Sequence, residues 1–146
     1  RTMSQIFSSV SPAMHEEFAL QYEARYLNRF GLTYYGCCEP LDRKVGILRK
    51  HVPSLRKISM SPWINLDTAI AAVGADYVFS LKPNPAVLAA DPWQPDAVRR
   101  DLEQTLARLK GLQVEIVMKD ISTVRYEPQR LWEWARLAAE AAAAAA

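Results

Sequence analysis

The spacing of apolar residues near the start of the chain predicts an amphipathic helix. It should begin at Ser11 and Pro12, because a hydroxyl cap followed by proline is typical of a helix start, and end at Gly31. Within it, large apolar side chains recur every fourth residue, which predicts one face turned toward the core. This stripe comprises Met14, Phe18, Tyr22, Tyr26 and Phe30.

Downstream of Gly31, short apolar runs alternate with helical patterns. Strands are predicted at 32–35, 55–60, 77–81 and 114–118. Helices should begin after Pro40 and end at Pro53, begin at Asn65 and end at Gly74, begin at Pro95 or Asp96 and end at Gly111, and begin near Pro128. The predicted inner faces are Leu41, Val45, Leu48 and Val52; then Val98, Leu102, Leu106 and Leu109; then Leu131, Trp134 or Ala135, and Leu137 or Ala138, with Arg130 and Arg136 outward.

Strands that alternate with helices across short connections predict parallel strands joined by right-handed crossovers. Four such units follow the first helix. They fit half of a closed eight-stranded (β/α)8 barrel or a small open doubly wound sheet. The glycine-rich phosphate turn of nucleotide-binding sheets is missing, and the pattern alone leaves both architectures open.

Composition narrows the class of partner. The chain has 146 residues, 50% hydrophobic and 23% charged, enough for one core. Its 18 basic and 16 acidic residues are interleaved, which argues against nucleic acid or an anionic membrane as partner.

Short apolar runs and the absence of a basic-then-apolar leader predict a cytoplasmic protein. We expect a single domain over 1–140, followed by an alanine tail at 141–146 of uncertain origin that is left out of functional reasoning.

Candidate chemistry lies where predicted strands end, since ligands of parallel α/β folds bind at the carboxyl ends of strands. Cys37, Cys38 and Glu39 follow the first strand, and thiolates with a carboxylate suit zinc, with Asp120 from the last strand completing the set. The alternative is that one cysteine fills the core and the other is exposed. As adjacent residues they are not a disulfide framework, so both are expected to be thiols.

Cations and amides follow the other strands. Lys82 and Lys119 would bind carboxylates or phosphates, or form structural ion pairs. Asn84, between two prolines, would donate an amide to a ligand or simply hold a turn. Trp63 would form a pocket wall or anchor a loop.

Taken in order, these segments resemble the carboxyl-terminal half of the uroporphyrinogen decarboxylase superfamily, which includes cobalamin-dependent methyltransferases. The helix start at 11–18 is similar to the one before the fifth barrel strand of that group. Tyr35, Gly36 and Cys37 lie where zinc-dependent members carry a His-x-Cys pair, so Tyr35 replaces the histidine ligand. The segment 82–85 is similar to their Gly-Asn-x-x-Pro segment, and Asp120 stands near the second cysteine of that group.

The resemblance implies the carboxyl-terminal half of a (β/α)8 TIM barrel, four βα units with parallel strands, and a methyltransferase that handles a corrinoid or thiol methyl acceptor. Zinc held by Cys37 or Cys38 with Glu39 and Asp120 would keep the acceptor as thiolate, so Glu39 and Asp120 would be catalytic. The implied substrate-binding residues are Tyr35, Trp63, Lys82, Asn84 and Lys119. The alternatives are a noncatalytic barrel fragment that binds a small anion through Lys82 and Lys119, or a decarboxylase relative.

A half-barrel also predicts a partner. The open sheet would expose two edges and an inner apolar surface contributed by Tyr34, Ile58, Val78 and Ile116 or by their strand neighbours. The missing amino-terminal half of the barrel or a second copy of the chain would cover it.

Overall fold

The computed structural model describes all residues, 1–146, and shows an α/β protein with a four-stranded, all-parallel sheet. The strands lie in the sheet in chain order, β1-β2-β3-β4, which confirms the predicted parallel strands joined by crossovers. Their bounds are Thr33–Tyr35 (β1), Leu55–Met60 (β2), Val78–Leu81 (β3) and Val114–Ile116 (β4).

Helices separate the strands. The α-helices are Pro12–His15 (α1), Gln21–Leu27 (α2), Val45–His51 (α3), Leu66–Val73 (α4), Pro95–Arg108 (α5) and Gln129–Ala145 (α6). A π-helical turn, Glu16–Leu20, joins α1 to α2, and two short 3-10 helices cover Gln5–Phe7 and Pro85–Ala89. None of the helices is both long and apolar enough to cross a bilayer.

Local sequence signals mark the start of α1 and both ends of α4. The hydroxyl of Ser11 accepts the backbone N–H of Met14 at 3.2 Å, and the side chain of Asn65 accepts that of Thr68 at 2.9 Å, as N-caps do. Gly74 ends α4 with a positive φ of 53°. The helix predicted after Pro40 begins later, at Val45, although its four predicted inner residues are all buried.

The aromatic stripe of the first helix is on the outside, and its predicted place in the core is wrong. The buried residues of this helix are His15, Ala19, Leu20, Ala24 and Leu27. Small alanine side chains let the helix lie close to its neighbours, so the face with less apolar bulk is the one that packs.

The chain forms two compact units, one of Arg1–Lys82 with Leu112–Glu115 and one of Pro83–Gly111 with Ile116–Ala146. In the second unit, α5 packs on α6, and the inner faces predicted for them are largely buried. Arg130 was predicted to point outward, but it is only 4% exposed. Its guanidinium donates to the carbonyl oxygens of Leu88 and Ala90 at 3.1 and 2.6 Å and to the carboxylate of Glu127 at 2.8 Å, and these acceptors together stabilise the buried charge.

The two faces of the sheet differ in chemistry. Tyr35, Ile58 and Phe79 stand in register on neighbouring strands and are fully buried. The hydroxyl of Tyr35 meets His15, so this face packs on the first helix. Ile58 is therefore not on the same face as Tyr34 and Val78, because the strand pleat turns it toward the helix, and its strand neighbours Lys57 and Ser59 stand on that other face.

Candidate functional site on the polar face of the sheet

The face of the sheet that is turned away from the first helix carries polar side chains on neighbouring strands. Tyr34 on β1 stands beside Lys57 on β2, and Ser59 on β2 stands beside Ser80 on β3. Because side chains alternate along a strand, Lys57 and Ser59 share one face. We call this surface the polar face and define it by Tyr34, Lys57, Ser59, Ser80, Lys82 and Glu115.

A chain of hydrogen bonds crosses all four strands on the polar face. The Tyr34 hydroxyl lies 3.3 Å from Ser80 Oγ, which donates to Glu115 Oε1 at 2.5 Å. Glu115 Oε2 accepts from Lys57 Nζ at 2.7 Å. Proton donors and acceptors are thus linked from β1 to β4.

Lys82 is the most unusual member of the polar face, because its ammonium group is buried with no ion-pair partner. The residue is 3% exposed, and Nζ contacts the hydroxyl and, at 3.4 Å, the carbonyl oxygen of Ser80. It also lies 5.6 Å from the centre of the Tyr34 ring. Burying an ammonium group without a carboxylate partner costs free energy, and an anion bound beside it would offset that cost.

The pKa of Tyr34 reflects this environment. Burial alone would raise the pKa of the phenol, but hydrogen bonds with Ser80, Ser59 and Lys82 outweigh it and lower the pKa below its ordinary 10.0. The positive charge of Lys82 acts in the same direction. The phenolate of Tyr34 is therefore easier to form than that of a tyrosine in water.

Glu115 is also held in its charged form. Burial opposes ionisation of this carboxyl group, yet hydrogen bonds from Lys57 and Ser80 lower its pKa. The ammonium group of Lys82 adds a favourable charge at longer range. Glu115 is thus a carboxylate that neutralises Lys57, its direct partner.

The loop after β1 adjoins the polar face. Gly36 has a φ of 96°, and the carbonyl oxygen of Cys37 accepts the hydroxyl of Ser59 at 2.6 Å. The two cysteine Sγ atoms lie 3.5 Å apart without a disulfide, in agreement with the predicted thiols. Buried Glu39 accepts the backbone N–H groups of Cys37 at 2.8 Å and Ser4 at 3.1 Å.

The predicted zinc ligands do not fit a metal ion in this arrangement. No group of three or more His, Cys, Asp or Glu side chains in the structure is placed to hold one. Both oxygens of Glu39 accept backbone hydrogen bonds, while Asp120 belongs to the second unit and forms an ion pair with Lys119 at 3.0 Å. Zinc at Cys37 and Cys38 stays a prediction, as do the catalytic roles of Glu39 and Asp120.

The other predicted site residues are dispersed. Tyr35 lies on the buried face, where its hydroxyl is 2.7 Å from His15 Nε2 and donates to Glu23 at 2.5 Å. Burial raises its pKa far above that of an ordinary tyrosine. Trp63 is 70% exposed in the loop after β2. In the second unit, the side chain of Asn84 accepts the backbone N–H of Ala86, so it caps a 3-10 helix.

Of the predicted binding residues, Lys82 alone belongs to the polar face. Sequence reasoning missed Tyr34, Lys57, Ser59, Ser80 and Glu115 as a group. The signal was present as polar residues two apart, at 57 and 59 within the second strand and at 80 and 82 at the end of the third. This spacing alone does not identify a site, because it is the pairing of the strands that brings these side chains together.

Comparisons of the sequence and structure with known proteins identify no relative of this chain. No protein-family description, no curated protein and no solved structure matches this chain.

Proposed function

We propose that the chain binds a small anionic molecule, one that bears a carboxylate or phosphate group, on the polar face. The observation that carries this proposal is the buried ammonium of Lys82, which has a serine and an aromatic ring as neighbours and no carboxylate partner. An anion placed against Nζ would supply the missing counter-charge.

The charges around Tyr34 support a negative charge on the ligand. Lys57 is neutralised by Glu115, whereas Lys82 is not paired. The guanidinium of Arg1 adds a second cation 4.7 Å from the ring centre of Tyr34. The polar face therefore carries a net positive charge, which attracts anions.

Access to the polar face is provided by its partly exposed residues. The side chains of Lys57 and Glu115 are 31% and 33% exposed. A ligand that enters there would reach Lys82 and the hydroxyls of Tyr34 and Ser80. These groups would orient it by hydrogen bonds.

The same face supports the half-barrel proposal. Four parallel strands in chain order, with one face against helices and polar side chains on the other, match what four consecutive units of a (β/α)8 barrel would present inside the barrel. Methyl transfer, and a corrinoid or thiol partner, stay predictions of the sequence resemblance alone. No group on the polar face selects a methyl donor.

The test is titration of the purified chain with inorganic phosphate and, separately, with succinate, followed by calorimetry and by amide chemical shifts. We expect shifts at Tyr34, Ser80 and Lys82. Lys82→Met should weaken binding about tenfold or more, because a hydrogen bond to a charged group is lost. Lys110→Met, which removes an exposed lysine in the second unit, is the matched control and should bind as wild type.

Two results would overturn the proposal: unchanged affinity in a folded Lys82→Met variant, or no shift on the polar face at millimolar concentrations of either probe. If Lys82→Met does not fold, Lys82→Arg keeps the charge. That variant should still bind, and a folded Lys82→Arg chain that fails to bind either probe would equally count against the proposal.

A further inference from the structure

Met14, Phe18, Tyr22 and Tyr26 lie on the outside of the first helix, and Phe30 lies in the turn just after its end at Leu27; together these five side chains of the stripe form an apolar surface. Each of these five side chains is between 47% and 58% exposed. Single exposed apolar residues are common, but a contiguous row along one helix face is typical of an interaction surface.

The stripe is already ordered. Tyr26 and Phe30 contact each other edge to face with ring centres 5.1 Å apart. The guanidinium of Arg25 lies 5.8 Å from the centre of the Tyr22 ring. Because these rings are held in place, their association with a partner costs less side-chain entropy.

Charges beside the stripe are arranged in order along the helix. The exposed positions immediately before stripe residues are Glu17 near the amino-terminal end, then Gln21, Arg25 and Arg29 toward the carboxyl-terminal end. A copy of the helix laid antiparallel would place the acidic end of one beside the basic end of the other. A parallel copy would place like charges together, which is unfavourable.

We propose that a second copy of this chain docks on the stripe, with the two helices antiparallel and crossing near Tyr22. This alignment sets Met14 opposite Phe30 and Phe18 opposite Tyr26, so the surface is complementary to itself, as a two-fold interface requires.

The area agrees with a weak dimer. Large side chains of this kind present about 150 to 250 Å² each, so five that are half exposed offer roughly 500 Å² per copy and about 1,000 Å² in total. This is at the lower end for specific association, and the dissociation constant is expected in the micromolar range.

Sedimentation equilibrium of the full chain from low to high micromolar concentration tests the proposal. We expect a reversible monomer–dimer equilibrium, which Phe18→Ser should weaken about tenfold or more. Trp132→Ser is the matched control, since it removes an aromatic side chain that is 67% exposed on α6, and it should leave the dissociation constant unchanged. Circular dichroism checks that each variant is folded.

Charge reversal tests the antiparallel arrangement. Glu17→Arg alone and Arg29→Glu alone should each weaken self-association, because each places like charges at the two ends of the interface. A mixture of the two variants should form a heterodimer, since opposite charges then meet at both ends.

A folded wild-type chain that is monomeric at high micromolar concentration would refute the proposal, as would a dimer that is insensitive to Phe18→Ser. If the mixture of the two charge variants associates no better than either alone, the antiparallel arrangement is wrong. Association that appears only on adding a separate polypeptide, such as a complementary half-barrel, would also overturn the second-copy assignment.

Discussion

At the scale of single residues, Gly36 is the position with the least room for change. Its φ is 96°, and a Cβ there would collide with the side chain of Leu41 and lie 3.0 Å from Ser59 Cβ. Positive φ and steric overlap both disfavour alanine, so Gly36→Ala should lower the free energy of unfolding by about 3 kcal/mol. Urea denaturation measures this change.

Gly46 provides the control for that experiment. It lies in α3, and a Cβ there would meet nothing within 4 Å. Gly46→Ala should be neutral or stabilise the chain by up to about 1 kcal/mol, since alanine has the higher helix propensity. Equal effects of the two substitutions would contradict the close contact assigned to Gly36.

Tyr34 should titrate at a lower pH than an ordinary tyrosine. Its pKa is lowered because Ser80, Ser59 and Lys82 stabilise the phenolate more than burial destabilises it. The ultraviolet titration of the wild type minus that of Tyr34→Phe isolates this group. We expect its midpoint below that of an ordinary tyrosine, and a higher midpoint in a Lys82→Met background, whereas Lys110→Met should leave it in place. A midpoint that ignores Lys82 would show that the ammonium is not close to the ring in solution.

At the scale of elements, the cap of α4 is a local interaction with a measurable cost. Asn65 accepts the backbone N–H of Thr68 at 2.9 Å and its hydroxyl at 3.0 Å. Asn65→Ala should reduce the free energy of unfolding by about 1 kcal/mol, and Asn65→Asp should retain most of it because a carboxylate also caps. Thermal or urea unfolding of the two variants compares them directly. No loss in Asn65→Ala would mean that the cap contributes nothing, and equal loss in both variants would show that a carboxylate does not replace the amide as the cap.

Element positions were largely predictable because their signals are local. Ser11, Asn65 and Gly74 mark helix ends through contacts with residues nearby in the chain. The inward face of the first helix was not predictable in the same way. Both of its faces carry apolar residues, and the choice between them depends on which one fits against the sheet, a property of distant residues.

At the scale of the whole molecule, His15 makes stability depend on pH. Burial and the charge of Lys44 lower its pKa to about 4, against the opposing effect of Glu39. The unfolded chain binds a proton near pH 6.5, whereas the folded chain resists it until about pH 4, so stability falls as the pH drops through this window. The loss should reach about 3 kcal/mol.

Urea denaturation at several pH values between 4 and 7 measures this effect. His15→Gln keeps a donor for the Tyr35 hydroxyl but cannot titrate, so its stability should vary much less between pH 6.5 and pH 4.5. Below that range the carboxylates whose pKa values are lowered, such as Glu16 and Glu115, add their own acid dependence. Parallel pH profiles for the variant and wild type would exclude His15 as the cause.

The candidate site was predictable only in part. Lys82 was found because it follows a strand, and the rule that ligands bind at strand ends selects such positions. Glu115 and Tyr34 were not found, because their partnership spans most of the chain and exists only once the strands are in register. The buried side chain of Tyr35 likewise depends on the pleat, which the sequence does not specify for so short a strand.

The π-helical turn at Glu16–Leu20 has a consequence for the geometry of the first helix. In a regular α-helix, residues four apart are rotated by about 40° from perfect alignment, so five such residues would wind about 160° around the axis. A π turn contains about one residue more than an α turn, which takes back roughly 100° of that winding. The π turn therefore reduces the angle through which residues spaced four apart wind around the axis, so the row stays closer to one face of the helix. Deleting one residue of the turn other than Phe18 would shorten the interval from Met14 to Phe30 to 15 residues, and a regular α-helix of that length also leaves its two ends about 60° apart, so the row should be kept while the π turn is lost.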